Sequence, residues 1–385
     1  MSAVELGSEL LVPEAGQHAA RAALSGMLRV RAERLFALPW STLPEGRALR
    51  AALHAALRAD SGSFFAALRR PTVHVHFEAA RFAADPASSL RAGAATLLGE
   101  LAAIGALAAP ITLPRPPRRV VLLGLRAAIE VPGPLELARG VLRSNGRDRL
   151  AEADVSHVPI DAPAAPGLVL ARVDENPLAM DEAHPAKEGN ALSLGGRDES
   201  EWGAALADAV QRTVRYLPAF AGEFALGLSQ VVPVGHHEQQ HLSASYRESV
   251  GTIYMTLHPD PLTMTEALIH EFQHNKLNAA LDLDPFLHNA FDELVASPVR
   301  PDPRPLHGVL LAVHAFVPIA ELLLRLRDAG DPIAASHRFS VRLSEIVQRN
   351  HEGLATLLAH GRPTAAGARM LAEMTALDLR HRASI

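Results

Sequence analysis

The chain has 385 residues, more than one small core usually fills, and 48% of them are apolar against 21% charged. That balance excludes general disorder, and a formal net charge of -5 gives no electrostatic argument for nucleic acid or an anionic membrane. Cysteine is absent, which removes disulfides, thiolate metal sites and a thiol nucleophile, so any metal site must draw on His, Asp or Glu.

The opening MSAVELGSELLVPEAGQ carries acids where a signal peptide carries basic residues. The apolar stretch from Leu97 to Leu113 contains Glu100 and ends among prolines, short of the roughly 20 residues a membrane span needs. These features predict a cytoplasmic protein with no membrane or nucleic-acid partner. Residues 18 to 70 set Leu24, Leu28, Val30 and Leu35 at helical spacing, predicting two or three helices broken at Pro39 and Pro44. Val73–Phe77 reads as a short strand, and an Ala/Leu helix follows from about Pro86 to Leu107. The stiff Pro-Arg-Pro-Pro-Arg at 114–118 suggests a boundary between a helical N-terminal region, 1–115, and an α+β domain, 116–385.

Beyond it, Val120–Leu125 and Leu168–Val173 are continuous apolar runs of the kind buried strands show. A polar loop spans Asp174 to Gly196, and Glu201–Leu217 is an amphipathic helix. Two further strands, Phe224–Val234 and Ser243–Leu257, flank the stretch HHEQQH at 236–241. From Pro261 the pattern is helical to the end, at about 263–281, 305–328, 337–360 and 364–379. The expected fold class is α+β, predominantly helical, with a small sheet beside the helix that starts near Pro261.

That helix carries His270-Glu271-Phe272-Gln273-His274. Four residues advance a helix by about 400°, so His270 and His274 lie about 40° apart and can meet one ion. Thr263 and Thr265 are candidate caps, and Leu268, Ile269, Phe272 and Leu277 supply an apolar stripe. With 19 histidines in the chain the string can also arise by chance, as a pair of surface histidines. A third ligand must come from farther on, because Leu277 and Ala280 stand where a long zincin motif has Gly and His. His307, His314 and Glu321 recur at heptad spacing on the next helix. His314, among Leu310, Leu311, Val313 and Phe316, is the favoured third ligand, its alternative being a core histidine bonded to a backbone carbonyl. Glu321 lacks the Asp four residues on that a gluzincin-type peptidase carries, since Arg325 stands there. Spacing alone favours zinc, with Glu271 as the general base of a metallopeptidase.

The stretch SASYRESVGTIYMTLHPDPLTMTEALIHEFQHNKLNAALDLDP, followed by SPVRPDPRPLHGVLLAVHAFVPIAELLLRL, resembles the HExxH-motif family of peptide-modifying enzymes found beside ribosomal peptide natural-product clusters. The resemblance covers about Asp174 to Leu326 and includes DENPLAMDEAHPAKEGN upstream. It implies an iron(II)- and 2-oxoglutarate-dependent peptide β-hydroxylase, with a precursor peptide, 2-oxoglutarate and O2 as its partners. In that reading His270, His274 and His314 hold the metal, and Glu271 orients a ligand or the substrate. An arginine fork is needed for the cosubstrate carboxylate, and Arg247, Arg300 and Arg304 are the candidates, with Ser243 and Ser245 beside Arg247. Asn278 and Asp282 are placed to receive the free ring N–H of His274, while Gln273, Asn275 and Lys276 face substrate or structure. HHEQQH reads as a polar loop at the pocket rim, and His184 and Lys187 as part of a loop over the pocket. A zinc metallopeptidase and a non-catalytic peptide-binding scaffold remain the alternatives.

Overall fold

The computed structural model describes residues 9–13, 18–181, 183–184, 187–297 and 302–385. Among these, eleven α-helices and several small sheets make a predominantly helical α+β fold, as the patterning predicts. Helices α1 (His18–Ala37), α2 (Gly46–Ala59), α3 (Ser61–Leu68), α4 (Pro71–Ala79) and α5 (Ala87–Ala103) come first. Two antiparallel sheets built from residues 111–155 follow. The later helices are α6 (Glu199–Tyr216), α7 (Phe220–Gly227), α8 (Pro261–Leu281), α9 (Leu306–Asp328), α10 (His337–His360) and α11 (Ala365–Ala383).

A five-stranded sheet lies beside α8, in the order Ser243–Ala244, Thr252–Leu257, Gln230–His236, Val169–Ala171, His157–Pro159. Its three inner strands are parallel and its two edge strands antiparallel. Every residue of Thr252–Leu257 is buried, as expected of a strand covered on both faces. Ile253 and Met255 join the main apolar core, which runs from Leu10 to Leu377, while Tyr254 joins a smaller cluster with Val232 and Ala244.

Several elements differ from the sequence expectation. Val73–Phe77 lies within α4: Pro71 at the first helical position launches it, and burial is continuous rather than alternating. The Phe224–Val234 strand divides, because Phe220 and Phe224 sit one helical turn apart on α7 and pack on Phe272, and pairing begins only at Gln230. Ser243–Leu257 is interrupted by a 3-10 turn at Arg247–Ser249 and by Gly251 at φ +102. Within residues 111–155 the apolar run at 120–125 forms the strand Arg119–Leu122, while the other strands escape pattern reading because they are only two to four residues long. Among the described residues α9 is the one helix long and apolar enough to cross a membrane. It is mostly buried against α8, α10 and α11, so its apolar run reflects a core position.

Candidate metal centre

Asp260 caps α8, not Thr263 or Thr265: its carboxylate accepts the Leu262 N–H at 3.2 Å and the Thr263 hydroxyl at 2.7 Å. Nearly every position of the helix is buried, and its polar residues divide among distinct partners. On the sheet side, Asn275 accepts the Gly251 N–H at 2.8 Å and donates to the Thr252 carbonyl at 3.1 Å. Glu271 accepts the Ser243 hydroxyl at 2.6 Å. On another side Gln273 and Lys276 donate to the Leu11 carbonyl at 2.9 and 3.4 Å, and Lys276 also pairs with buried Glu223 at 2.8 Å. Gln273, Asn275 and Lys276 therefore hold structure.

His270 and His274 turn toward each other, with Nε2 atoms 2.9 Å apart and rings close to perpendicular. Two nitrogens each about 2.1 Å from one ion stand about 3.0 Å apart at a right angle and about 3.4 Å at the tetrahedral angle. The observed spacing suits a shared ion with a near-right angle, and it equally suits one neutral ring donating to the other. Burial holds His270 well below the ordinary histidine range, helped by the nearby charges of His274 and Arg342. Burial brings His274 down to about 4, with a smaller contribution from His307. Both rings are thus neutral at pH 7, the state that ligates a cation. The Nδ1 atoms of both are buried without a hydrogen-bond partner, a departure from the usual metal ligand, whose second ring nitrogen is held by an acceptor. Packing supplies the orientation instead, with His270 against Phe316 at 4.7 Å between ring centroids.

His270 lines a cavity of about 240 Å³ with Ser243, Glu266, Phe316 and Arg342 among its other walls. A second cavity of about 450 Å³ shares His241, Thr263, Glu266 and Arg342 with it and extends past His258 and Arg338. Together they form a cleft between the first half of α8, the HHEQQH stretch and α10. Arg342 donates through Nε and Nη2 to Glu266 at 3.0 and 2.8 Å. Burial raises the Glu266 carboxyl, and the Arg342 charge opposes that rise.

The structure brings His270 and His274 together and leaves the other expected ligands elsewhere. His314 is wholly buried, and its Nε2 donates to the Leu10 carbonyl at 3.0 Å, the core arrangement anticipated as its alternative. His307 packs on Phe291 at 4.8 Å, and burial lowers its pKa to about 4. Glu321 accepts from Arg325, Arg380 and His381 at 2.8, 2.7 and 3.0 Å, which together hold its pKa at about 2 against the effect of burial. Among the described residues no group of three His, Asp or Glu side chains is placed to hold one ion.

Of the arginine candidates, Arg247 and Arg304 do not line the cleft. Arg247 begins the 3-10 turn rather than a strand, donating to the Leu281 carbonyl at 3.2 Å and lying 3.4 Å from Asp282. Arg304 pairs with Asp302 at 2.8 Å, and Arg300 lies outside the described residues. Ser245 has a buried, unpartnered hydroxyl but does not line the cleft, whereas Ser243 does. Asp282, expected near the His274 ring, is instead taken by Arg31 at 3.0 Å and Arg34 at 2.7 Å. The described part of the 174–196 loop packs on the far face of the sheet, where Tyr254 donates to Asp174 at 2.9 Å and Asn190 donates to Tyr246 at 2.6 Å. His184 and Lys187 sit in a two-stranded ribbon of that loop.

Glu266 and Arg342 are wall residues that spacing did not single out. Glu266 was within reach, since it stands one helical turn before His270. Arg342 comes from a separate helix, and no local pattern points to it. No protein-family model matches the chain, and no curated protein matches it in sequence.

Proposed function

We propose that the protein is an iron(II)- and 2-oxoglutarate-dependent oxygenase that hydroxylates a side-chain β-carbon of a ribosomally made precursor peptide. The observation that carries this reading is the convergence of two neutral imidazoles, Nε2 to Nε2 at 2.9 Å, beside a cleft. Two imidazoles suit iron and zinc alike, and the preference for iron rests on the sequence resemblance. His270 and His274 would hold the metal, which when bound supplies the oxidising centre where O2 and 2-oxoglutarate are consumed. Ser243 fixes the Glu271 carboxylate, Glu266 fixes the Arg342 guanidinium on the cleft wall, and Phe316 and Ile319 give that wall an apolar side. The Ser243–Glu271 bond also favours a second reading, a zinc metallopeptidase with Glu271 as general base.

The test loads the protein with iron(II) without oxygen and then adds 2-oxoglutarate. A weak visible charge-transfer band is expected, absent in His270→Ala and His274→Ala and retained in Glu271→Gln. Co-expression with a precursor peptide should add one oxygen to its mass. A peptide that is shortened instead, with the cleavage abolished by Glu271→Gln, would establish the peptidase and end the oxygenase reading.

A further inference from the structure

A second pocket, of about 370 Å³, lies away from the histidine cleft, at the amino ends of the parallel strands Val169–Ala171 and Gln230–His236. Arg69, Arg70 and Arg126 line it, and no carboxylate side chain does among the described residues. Arg70 is built in place: its guanidinium pairs with Glu100, which is wholly buried, and the other Glu100 oxygen accepts the Gly124 N–H at 3.0 Å. Gly124 makes room for that head, because a Cβ there would stand 2.2 to 2.5 Å from the guanidinium atoms. Glu100 answers the charge of Arg70 alone. Arg69 and Arg126 have no ion pair among the described residues, and both are exposed.

Arg126 occupies the hairpin turn between Arg119–Leu122 and Ala127–Glu130 at φ +54, a conformation that side chains other than Asn, Asp or Gly seldom adopt. Arg69 and Arg70 are adjacent and both line the pocket, so their charges repel each other and an anion here would relieve that repulsion. Leu168 and Leu228 supply an apolar wall opposite the arginines. Guanidinium groups bind carboxylate and phosphate through paired N–H donors, and a pocket of this size suits a small molecule.

We propose that this pocket binds a small polyanion, carrying carboxylate or phosphate groups, between Arg69, Arg70 and Arg126, independently of the histidine centre. Isothermal titration of the full chain at fixed ionic strength with citrate, and separately with pyrophosphate, tests it. At least one probe should bind saturably at one per chain. Arg69→Ala and Arg126→Ala should each weaken that binding about tenfold or more, Gly124→Ala should weaken it by displacing the Arg70 head, and Arg147→Ala, on another surface, should leave it unchanged. Preference for citrate marks a carboxylate ligand, and preference for pyrophosphate marks a phosphorylated one. The proposal is overturned if neither probe binds, or if a folded Arg69→Ala/Arg126→Ala variant, checked by its thermal midpoint, binds as the parent does.

Discussion

Acid should weaken this fold through its buried histidines. Burial brings His76 and His157 down to about 4, whereas an unfolded chain protonates histidine near 6.5. As pH falls through 6.5 the unfolded state takes up protons that the folded state refuses, so the stability these groups contribute is present above 6.5 and lost below it. Between pH 7.5 and 5 each accounts for about 2 kcal/mol, or about 4 kcal/mol for the two. His74, His270, His274, His307 and His314 are shifted in the same direction. Asp174 acts oppositely: burial raises it to about 6, so its folded-state protonation returns about 1.4 kcal/mol by pH 5. Burial also raises Glu100, Glu223, Glu266 and Glu373, which oppose the loss to a smaller extent. His76, His157 and Asp174 together give a net loss of about 2.6 kcal/mol, a large part of the 5 to 15 kcal/mol typical of a domain. Urea unfolding followed by circular dichroism at pH 7.5, 6.5, 5.5 and 5 measures it, and His76→Leu should remove up to one proton from the slope. Stability that stays level or rises on acidification would refute the reasoning.

Two further substitutions probe the helix and the sheet. Lys276→Met leaves Glu223, 1% exposed, without its counter-charge and should cost about 3 to 5 kcal/mol, most of it recovered in Lys276→Met/Glu223→Leu; a double variant as unstable as the two singles summed would rule out the pairing by urea unfolding. Tyr254→Phe removes the hydroxyl that donates to Asp174 at 2.9 Å and accepts from Asn176 at 3.0 Å, a cost of about 1 to 3 kcal/mol. That cost should be greater at pH 7.5 than at pH 5, where Asp174 is protonated, and equal costs at both pH values would contradict the assignment.

Features set by neighbours in the chain were the legible ones. His270 and His274 face each other because a helix returns to the same side after four residues, and the starts of α10 and α11 after Ser336 and Thr364 follow from unbroken periodicity, whereas α8 begins two residues before its expected start, at the Asp260 cap. Strand assignments failed where burial hid the period. In Val73–Phe77 every residue is buried, so alternation of type carries no information about the backbone, and Pro71 decides the matter. Phe224 illustrates the same point, since an aromatic residue favours a strand in isolation but here answers Phe220 one turn earlier.

The third-ligand question shows why a motif on one helix does not fix its partner on another. His307, His314 and Glu321 share a face of α9, yet each side chain is oriented by what it meets across the packing, and each meets something different. For His314 that partner comes from 304 residues away, where Leu10 and Leu11 lie buried between α8 and α9 with their carbonyls turned toward His314, Gln273 and Lys276. A buried imidazole needs a partner, and the heptad spacing leaves open whether that partner is an ion or a carbonyl. The segment at Glu9–Pro13 supplies a carbonyl to Nε2, while Nδ1 stays buried without a hydrogen-bond partner.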